Sequence, residues 1–215
     1  MLLLTKFDRF LPLIGLLALT SLAKEKVWRV HGGVAKEFKD SKGRVWQSDQ
    51  SKYNGQTWGG WIKLQPRMAF VGNLTKEAEK KAKKAGYDNE LFHSVCWAKF
   101  PDTVKVDLNT GNGKFQVAYM VGEHWPPNNR GYDIFIEKNV QPLYVTPGKD
   151  EINIKIYEDV DFKDKVMSLH FAGNKKTGKG DLNAMSNALE VVSAKPVDPK
   201  KKLTSQWAKI KKDRS

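Results

Sequence analysis

The strongest constraint on the fold is a short alternation of apolar and polar residues that recurs along the chain and is broken each time by a turn signal. In Thr103-Val-Lys-Val-Asp-Leu108 the apolar positions are Val104, Val106 and Leu108; Phe115, Val117, Tyr119 and Val121 repeat the pattern, as do Ile152, Ile154 and Ile156. A period of two places alternate side chains on opposite faces of an extended chain, so these stretches predict half-buried β-strands. Tyr132-Asp-Ile-Phe-Ile136, Val166-Met-Ser-Leu-His-Phe171 and Ala188-Leu-Glu-Val-Val192 are further strands. Between them, Thr110-Gly-Asn-Gly113, Pro126-Pro-Asn-Asn-Arg-Gly131 and Thr146-Pro-Gly-Lys-Asp150 read as turns. These gaps are too short for the crossover helices of a parallel sheet. The expected class is therefore all-β, an antiparallel β-sandwich or jelly roll.

Two helices are expected beside the strands. Thr75 can cap the run Lys76 to Ala85 and Gly86 can end it, but the run is almost wholly Lys, Glu and Ala, which predicts a solvated surface insertion. After the linker Pro196-Val-Asp-Pro-Lys-Lys-Lys202, Leu203, Trp207 and Ile210 fall on one face of a basic C-terminal helix. Such a tail suits a membrane surface or a partner, or packs its apolar face on its own domain.

Lys6 and Arg9 precede the apolar run from Phe10 to Leu19, and Ser21-Leu-Ala23 supplies the small residues read by a signal peptidase. The run is about half the roughly 20 residues a bilayer requires. The expected organisation is a signal peptide over 1–23, a β-sandwich domain over 24–194 and a basic linker with an amphipathic tail over 195–215. A secreted or periplasmic protein with no transmembrane anchor in its mature chain follows from it.

The formal net charge is +13, from 37 Lys and Arg against 24 Asp and Glu. Helix segment 76–84 and the tail together hold +9 of this. In an exported chain such charge meets anionic surfaces rather than nucleic acid. One cysteine, Cys96, excludes an internal disulfide and any multi-cysteine metal site, and its apolar neighbours Val95 and Trp97 predict a buried thiol. No cofactor is expected, with a structural calcium left open. Gly173-Asn-Lys-Lys-Thr-Gly-Lys-Gly180 approaches a phosphate-binding loop but places Gly180 where a hydroxyl residue must hold magnesium, so a lysine-rich hairpin is preferred. No nucleophile elbow or triad occurs. Glu123 and Asp133 are the nearest candidates for a carboxylate pair, and neither has a local feature that marks a catalyst, so no enzymatic activity is expected.

Aromatic residues instead gather beside turns: Trp58-Gly-Gly-Trp61, Phe92 and Trp97, and Trp125 before Pro126. Sugar rings stack their C–H faces on such platforms while fixed polar groups bind their hydroxyls.

Four blocks in order resemble a malectin-type domain, a carbohydrate-binding relative of the galactose-binding jelly roll. They are Arg29-Val-His-Gly-Gly33 with Asp40-Ser-Lys-Gly-Arg-Val-Trp-Gln-Ser-Asp49; Asp88 to Trp97; Gly113 to Trp125 with Arg130-Gly-Tyr-Asp-Ile134; and the closing strand Leu182 to Val192. The resemblance implies a secreted, non-catalytic module that grips an oligosaccharide or polysaccharide. Its platforms would be Phe92, Trp97 and the pair His124 and Trp125, with Trp58 or Trp61 added from the first loop. Asp181 or Asn183 would supply the polar contact. The chain departs from the family pattern at Gly122, where Ala is usual, at His124, where an aromatic is usual, and by the lysine-rich helix. The alternative function is a structural or interaction domain of the cell envelope, binding an anionic component or a protein through its basic tail.

Overall fold

The computed structural model describes residues 25–48, 67–70, 72–125, 130–137, 139–140, 144–145, 147–175 and 181–194. The expected signal segment, Trp58, Trp61, the end of the lysine-rich 173–180 loop and the basic tail lie outside them.

The strands in chain order are β1 (Val27–His31), β2 (Phe38–Lys39), β3 (Val45–Ser48), β4 (Arg67–Phe70), β5 (Ser94–Ala98), β6 (Val104–Leu108) and β7 (Gly113–Glu123), followed by β8 (Gly131–Ile136), β9 (Asn139–Val140), β10 (Tyr144–Val145), β11 (Glu151–Phe162), β12 (Met167–Gly173), β13 (Ala184–Ser186) and β14 (Ala188–Ser193). One sheet runs β11-β7-β14-β1-β3-β2, a second β10-β8-β12-β6 with β9 also on β8, and a small third β13-β5-β4. All pairs are antiparallel except β1 with β3, where Val30 lies opposite Gln47 and His31 opposite Ser48. The class is the all-β sandwich that the alternation predicts.

The main core lies between the two large sheets. Phe115, Val117, Tyr119 and Val121 of β7 face Val104, Val106 and Leu108 of β6, Ile134 of β8 and Phe171 of β12, and the small sheet adds Val95, Cys96 and Met185. Cys96 is fully buried there, as its apolar neighbours imply. Rings lock the layers: Phe115 meets Trp28 and Phe162 edge-on at 5.9 and 5.7 Å, and Tyr119 stacks on Phe171 at 5.0 Å. Each such side chain contributes about 1.5–3 kcal/mol by leaving water.

One expectation needs correction. The helix α1 (Lys76–Ala85) starts at the Thr75 cap and ends at Gly86 in the left-handed conformation, as read, but it is not a purely solvated insertion. Ala78 and Ala82 are buried against a second core with Trp46, Leu91, Phe92, Met120 and Ile152. Alanine suits this contact because a methyl lets helix and sheet approach closely. The isoleucine row of β11 faces this same outer layer rather than the sandwich core. Ile152 is buried, Ile154 is partly buried and Ile156 is 47% exposed.

The Asp-x-x-Gly-x-x-Trp block is a structural device. Asp40 accepts the amides of Lys42 and Arg44 at 3.0 and 2.8 Å, the Arg44 Nε at 2.6 Å and the Trp46 indole at 3.0 Å. Gly43 takes the positive φ of 74° that closes the turn. Burial opposes the Asp40 charge, but the hydrogen bonds from Trp46 and Arg44 and the Arg44 charge prevail and hold its carboxyl below the usual range.

Candidate functional site

The site forms where β7 ends, because β7 is pinned on one edge up to its last residue and on the other as far as Met120, beyond which the Asn187 side chain takes the Gly122 amide. Glu151 pairs with Glu123 on one side, and Ala188 pairs with Met120 on the other. The next residues turn out of the sheet, and their backbone needs acceptors. Glu123 supplies them: its Oε1 accepts the amides of His124 at 3.0 Å and Trp125 at 2.9 Å. Its Oε2 accepts Nε of Arg130 at 2.6 Å, and the Glu123 side chain is fully buried.

Arg130 then reaches Asp181, to whose carboxylate its Nη1 donates. The backbone fixes the same approach, since the Gly131 amide donates to the Asp181 carbonyl at 3.1 Å. Asp181 Oδ1 accepts the Asn183 amide at 2.8 Å, a local turn that holds the side chain still. The Arg130 guanidinium carbon sits 5.4 Å from the centre of the Trp125 ring. Trp125 is 38% exposed, one of the few large apolar side chains so open among the described residues. The result is an exposed indole backed by a cation that two carboxylates hold in place.

His124 does not belong to the platform. Its ring is buried, with Nε2 donating to the Phe92 carbonyl at 3.1 Å and Nδ1 facing the Asp150 carboxylate at 3.2 Å. The two departures at 122 and 124 are one feature: a Cβ at Gly122 would lie 3.2 Å from His124 Nε2 and 3.4 Å from the Phe92 carbonyl oxygen. Glycine makes room for the imidazole.

Phe92 is corrected as well. At 0% exposure its ring belongs to the second core and offers no face to a ligand. Its contribution is its carbonyl, which also accepts Asn187 Nδ2 at 3.1 Å. Trp97 lies on β5, partly buried against the main core. Asn183 turns its Oδ1 to the Phe100 amide at 2.8 Å, whereas Asp181 is the residue joined to Arg130. The structure therefore brings together Trp125 and Asp181 from the expected set, and His124 beneath them. Glu123 enters as a buried anchor, and Asp133 accepts Asn174 Nδ2 at 2.7 Å.

Sequence reasoning gave no role to Arg130, Asp150 or Asn187. Asn187 divides the expected closing strand into β13 and β14, which belong to different sheets. Its side chain donates to the carbonyls of Phe92 and Ser94 and accepts the Gly122 amide at 2.8 Å. The one signal was a polar pair, Ser186-Asn187, directly before the apolar run that starts at Ala188.

No family model matches the chain, and no curated protein matches it in sequence. Solved structures do match in shape. The ANXUR2 extracellular domain from Arabidopsis thaliana superposes with a TM-score of 0.64 at 15% identity, covering 79% of this chain and 49% of that one. The ANXUR1 extracellular domain gives 0.61 at 11%, covering 77% and 47%. A Bacteroides uniformis beta-glucuronidase gives 0.59 at 12%, covering 78% of this chain and 18% of the other. The chain thus spans about half the length of these plant ectodomains and less than a fifth of the glucuronidase. At such identities the likeness shows the fold alone, a β-sandwich shared with these domains. No helix among the described residues is long and apolar enough to cross a membrane.

Proposed function

We propose that this chain is an exported carbohydrate-binding module that holds a glycan on the exposed face of Trp125. The observation that carries the reading is the half-open indole fixed from behind by Arg130, itself fixed by Glu123 and Asp181. A sugar ring stacking there meets a platform with little freedom left to lose. Asp181, whose side chain is 36% exposed, is placed to accept sugar hydroxyls. The malectin-like fold supports the reading, and so does the leading segment 1–23.

The module is non-catalytic in this reading. Glu123 is fully buried and already accepts two amides and a guanidinium, which leaves it neither access to a glycosidic oxygen nor a free position for a proton. The test is a glycan-array screen followed by titration calorimetry with the best ligand. Trp125→Ala is expected to weaken binding at least tenfold, about 1.4 kcal/mol, with Trp125→Phe in between. Unchanged affinity in a folded Trp125→Ala protein would remove this site from the function.

A further inference from the structure

The lysine-rich helix and the β2–β3 hairpin are remote in sequence, yet the fold joins them. Lys42 Nζ and Arg44 Nη2 both donate to the Gly86 carbonyl, each at 2.8 Å, at the end of α1. Ser41 adds two bonds to the Asp88 carboxylate, from its amide and its hydroxyl, both at 2.6 Å. The hairpin is thereby tied to the helix terminus, which sets Lys42 and Arg44 beside the last turn of α1 with its Lys83 and Lys84; Lys80 shares their helix face by its i+3 and i+4 spacing, and Lys39 lies on the same hairpin.

The charge there is available. Among the described residues no carboxylate pairs with Lys39, Lys42, Lys80, Lys83 or Lys84, and all five are exposed. Of the nearby acids, Asp40 is buried under Arg44 and Trp46, Asp88 holds Ser41, Glu190 holds Arg29 and Tyr87, Glu90 lies 3.5 Å from His93, and Glu77 and Glu79 stand in the first turn of α1. Lys76 and Lys80, and Lys80 and Lys84, are like charges at i and i+4, while Glu77 with Lys81 and Glu79 with Lys83 have the favourable order at the same spacing, so the helix carries its outward lysines at little net cost.

Beside the cations lies an open depression of about 390 Å³ lined by Ser41, Lys83, Tyr87, Asp88, Asn89 and Glu90. Its hydroxyl, amide and carboxylate groups suit sugar hydroxyls, while the lysines around it suit anionic substituents. A duplex with an unbroken row of phosphates would meet Asp88 and Glu90. We infer that this surface binds an anionic polysaccharide, one that alternates hydroxyl-bearing rings with sulfate or carboxylate groups. It is separate from the Trp125 site: α1 begins near that site, where the Thr75 amide bonds the Asp150 carbonyl, and carries the patch about 15 Å away at its other end.

The experiment is heparin binding by the full chain at about 50 and about 200 mM salt, where counterion release makes each polyanion contact visible as salt dependence. Lys80→Gln/Lys83→Gln/Lys84→Gln keeps good helix formers and should lose at least tenfold in affinity and flatten the salt slope. Lys39→Gln/Lys42→Gln, which leaves α1 untouched, should lose affinity in the same direction. A control triple, Lys155→Gln/Lys163→Gln/Lys165→Gln, should lose less than about threefold, the share expected of diffuse charge. Trp125→Ala should leave heparin binding unchanged, which separates this inference from the proposed function. Equal losses in patch and control, tighter binding to duplex DNA or anionic vesicles than to heparin, or loss only on deleting 195–215 would each overturn it.

Discussion

His31 offers a test of the core that needs no ligand. It lies on β1 at 1% exposure, with Nε2 3.1 Å from the Ser94 hydroxyl. That hydroxyl donates to the Gly32 carbonyl at 2.8 Å, so it can only accept from the ring, and Nε2 carries the proton. Nδ1 has no partner. A second proton would therefore be buried without an acceptor. Desolvation first, and the neighbouring His93 charge second, push the His31 pKa from 6.5 down to about 4. As pH falls through 6.5 the unfolded chain takes up a proton that the native chain refuses, so this contribution is whole above 6.5 and is lost as pH falls toward 4. At about 1.36 kcal/mol per pH unit the full loss is about 3 kcal/mol, and about 2.5 kcal/mol is gone by about pH 4.5. That is a large share of a typical stability of about 5–15 kcal/mol.

The assay is urea denaturation of the wild type and His31→Gln at about pH 8 and about pH 4.5. The substitution costs some stability at both values, and the carboxylates titrate alike in both proteins, so only the change in the difference counts. The wild-type advantage should shrink by about 2.5 kcal/mol on acidification. A difference that stays constant within about 0.5 kcal/mol, or grows, would refute the burial argument.

Three further outcomes follow from contacts. Asn187→Ala takes the partner from the buried Gly122 amide and a donor from the Ser94 carbonyl, while the Phe92 carbonyl keeps His124, so thermal or urea unfolding should show a loss of about 2–3 kcal/mol. Gly173→Ala would set a Cβ 2.2 Å from the Leu182 carbonyl oxygen and 2.7 Å from Phe100 Cδ2, and about 1–3 kcal/mol should be lost on the same assay as Asp181 is displaced. Arg130→Met leaves Glu123 as a fully buried carboxylate without its cation, which should cost about 3–5 kcal/mol, recovered in large part by adding Glu123→Gln.

What was legible in the sequence was whatever depends on neighbours along the chain. The alternation in Val104, Val106 and Leu108 and in Phe115 to Val121 located β6 and β7, and Thr75 and Gly86 bounded α1. What was illegible depends on partners brought from afar. Ile152 and Ile154 show the same alternation as β6, but which layer an apolar row faces is decided by α1, a helix more than sixty residues upstream. Ala78 and Ala82 gave no apolar stripe because close packing here uses methyl groups. Phe92 looked like a loop aromatic, since nothing local says that its ring turns inward while its carbonyl serves the site. The role of Arg130 required Asp181, which lies on the far side of β8 and β12 in the chain.

The position of the candidate platform follows from the burial of β7 on both faces. Tyr119 and Val121 fill the sandwich core while Ala118 and Met120 fill the layer beneath α1, so the strand has no soft face on which to shift. Its last residue, Glu123, inherits that rigidity and passes it by hydrogen bonds to the Trp125 backbone and to Arg130. A ring mounted on an ordinary loop would give up conformational freedom on meeting a ligand, about 0.5–1.5 kcal/mol for an immobilised side chain. Here folding has already removed most of that freedom. The outward lysines of α1, Lys80, Lys83 and Lys84, are the opposite case: long, exposed and without a carboxylate partner among the described residues, they suit a polymer whose charges recur at variable spacing. One helix, packed on the sheet through two alanines, thus sets the proposed cationic surface at the opposite end of α1 from the proposed aromatic platform, which Glu123 and Arg130 hold on their own.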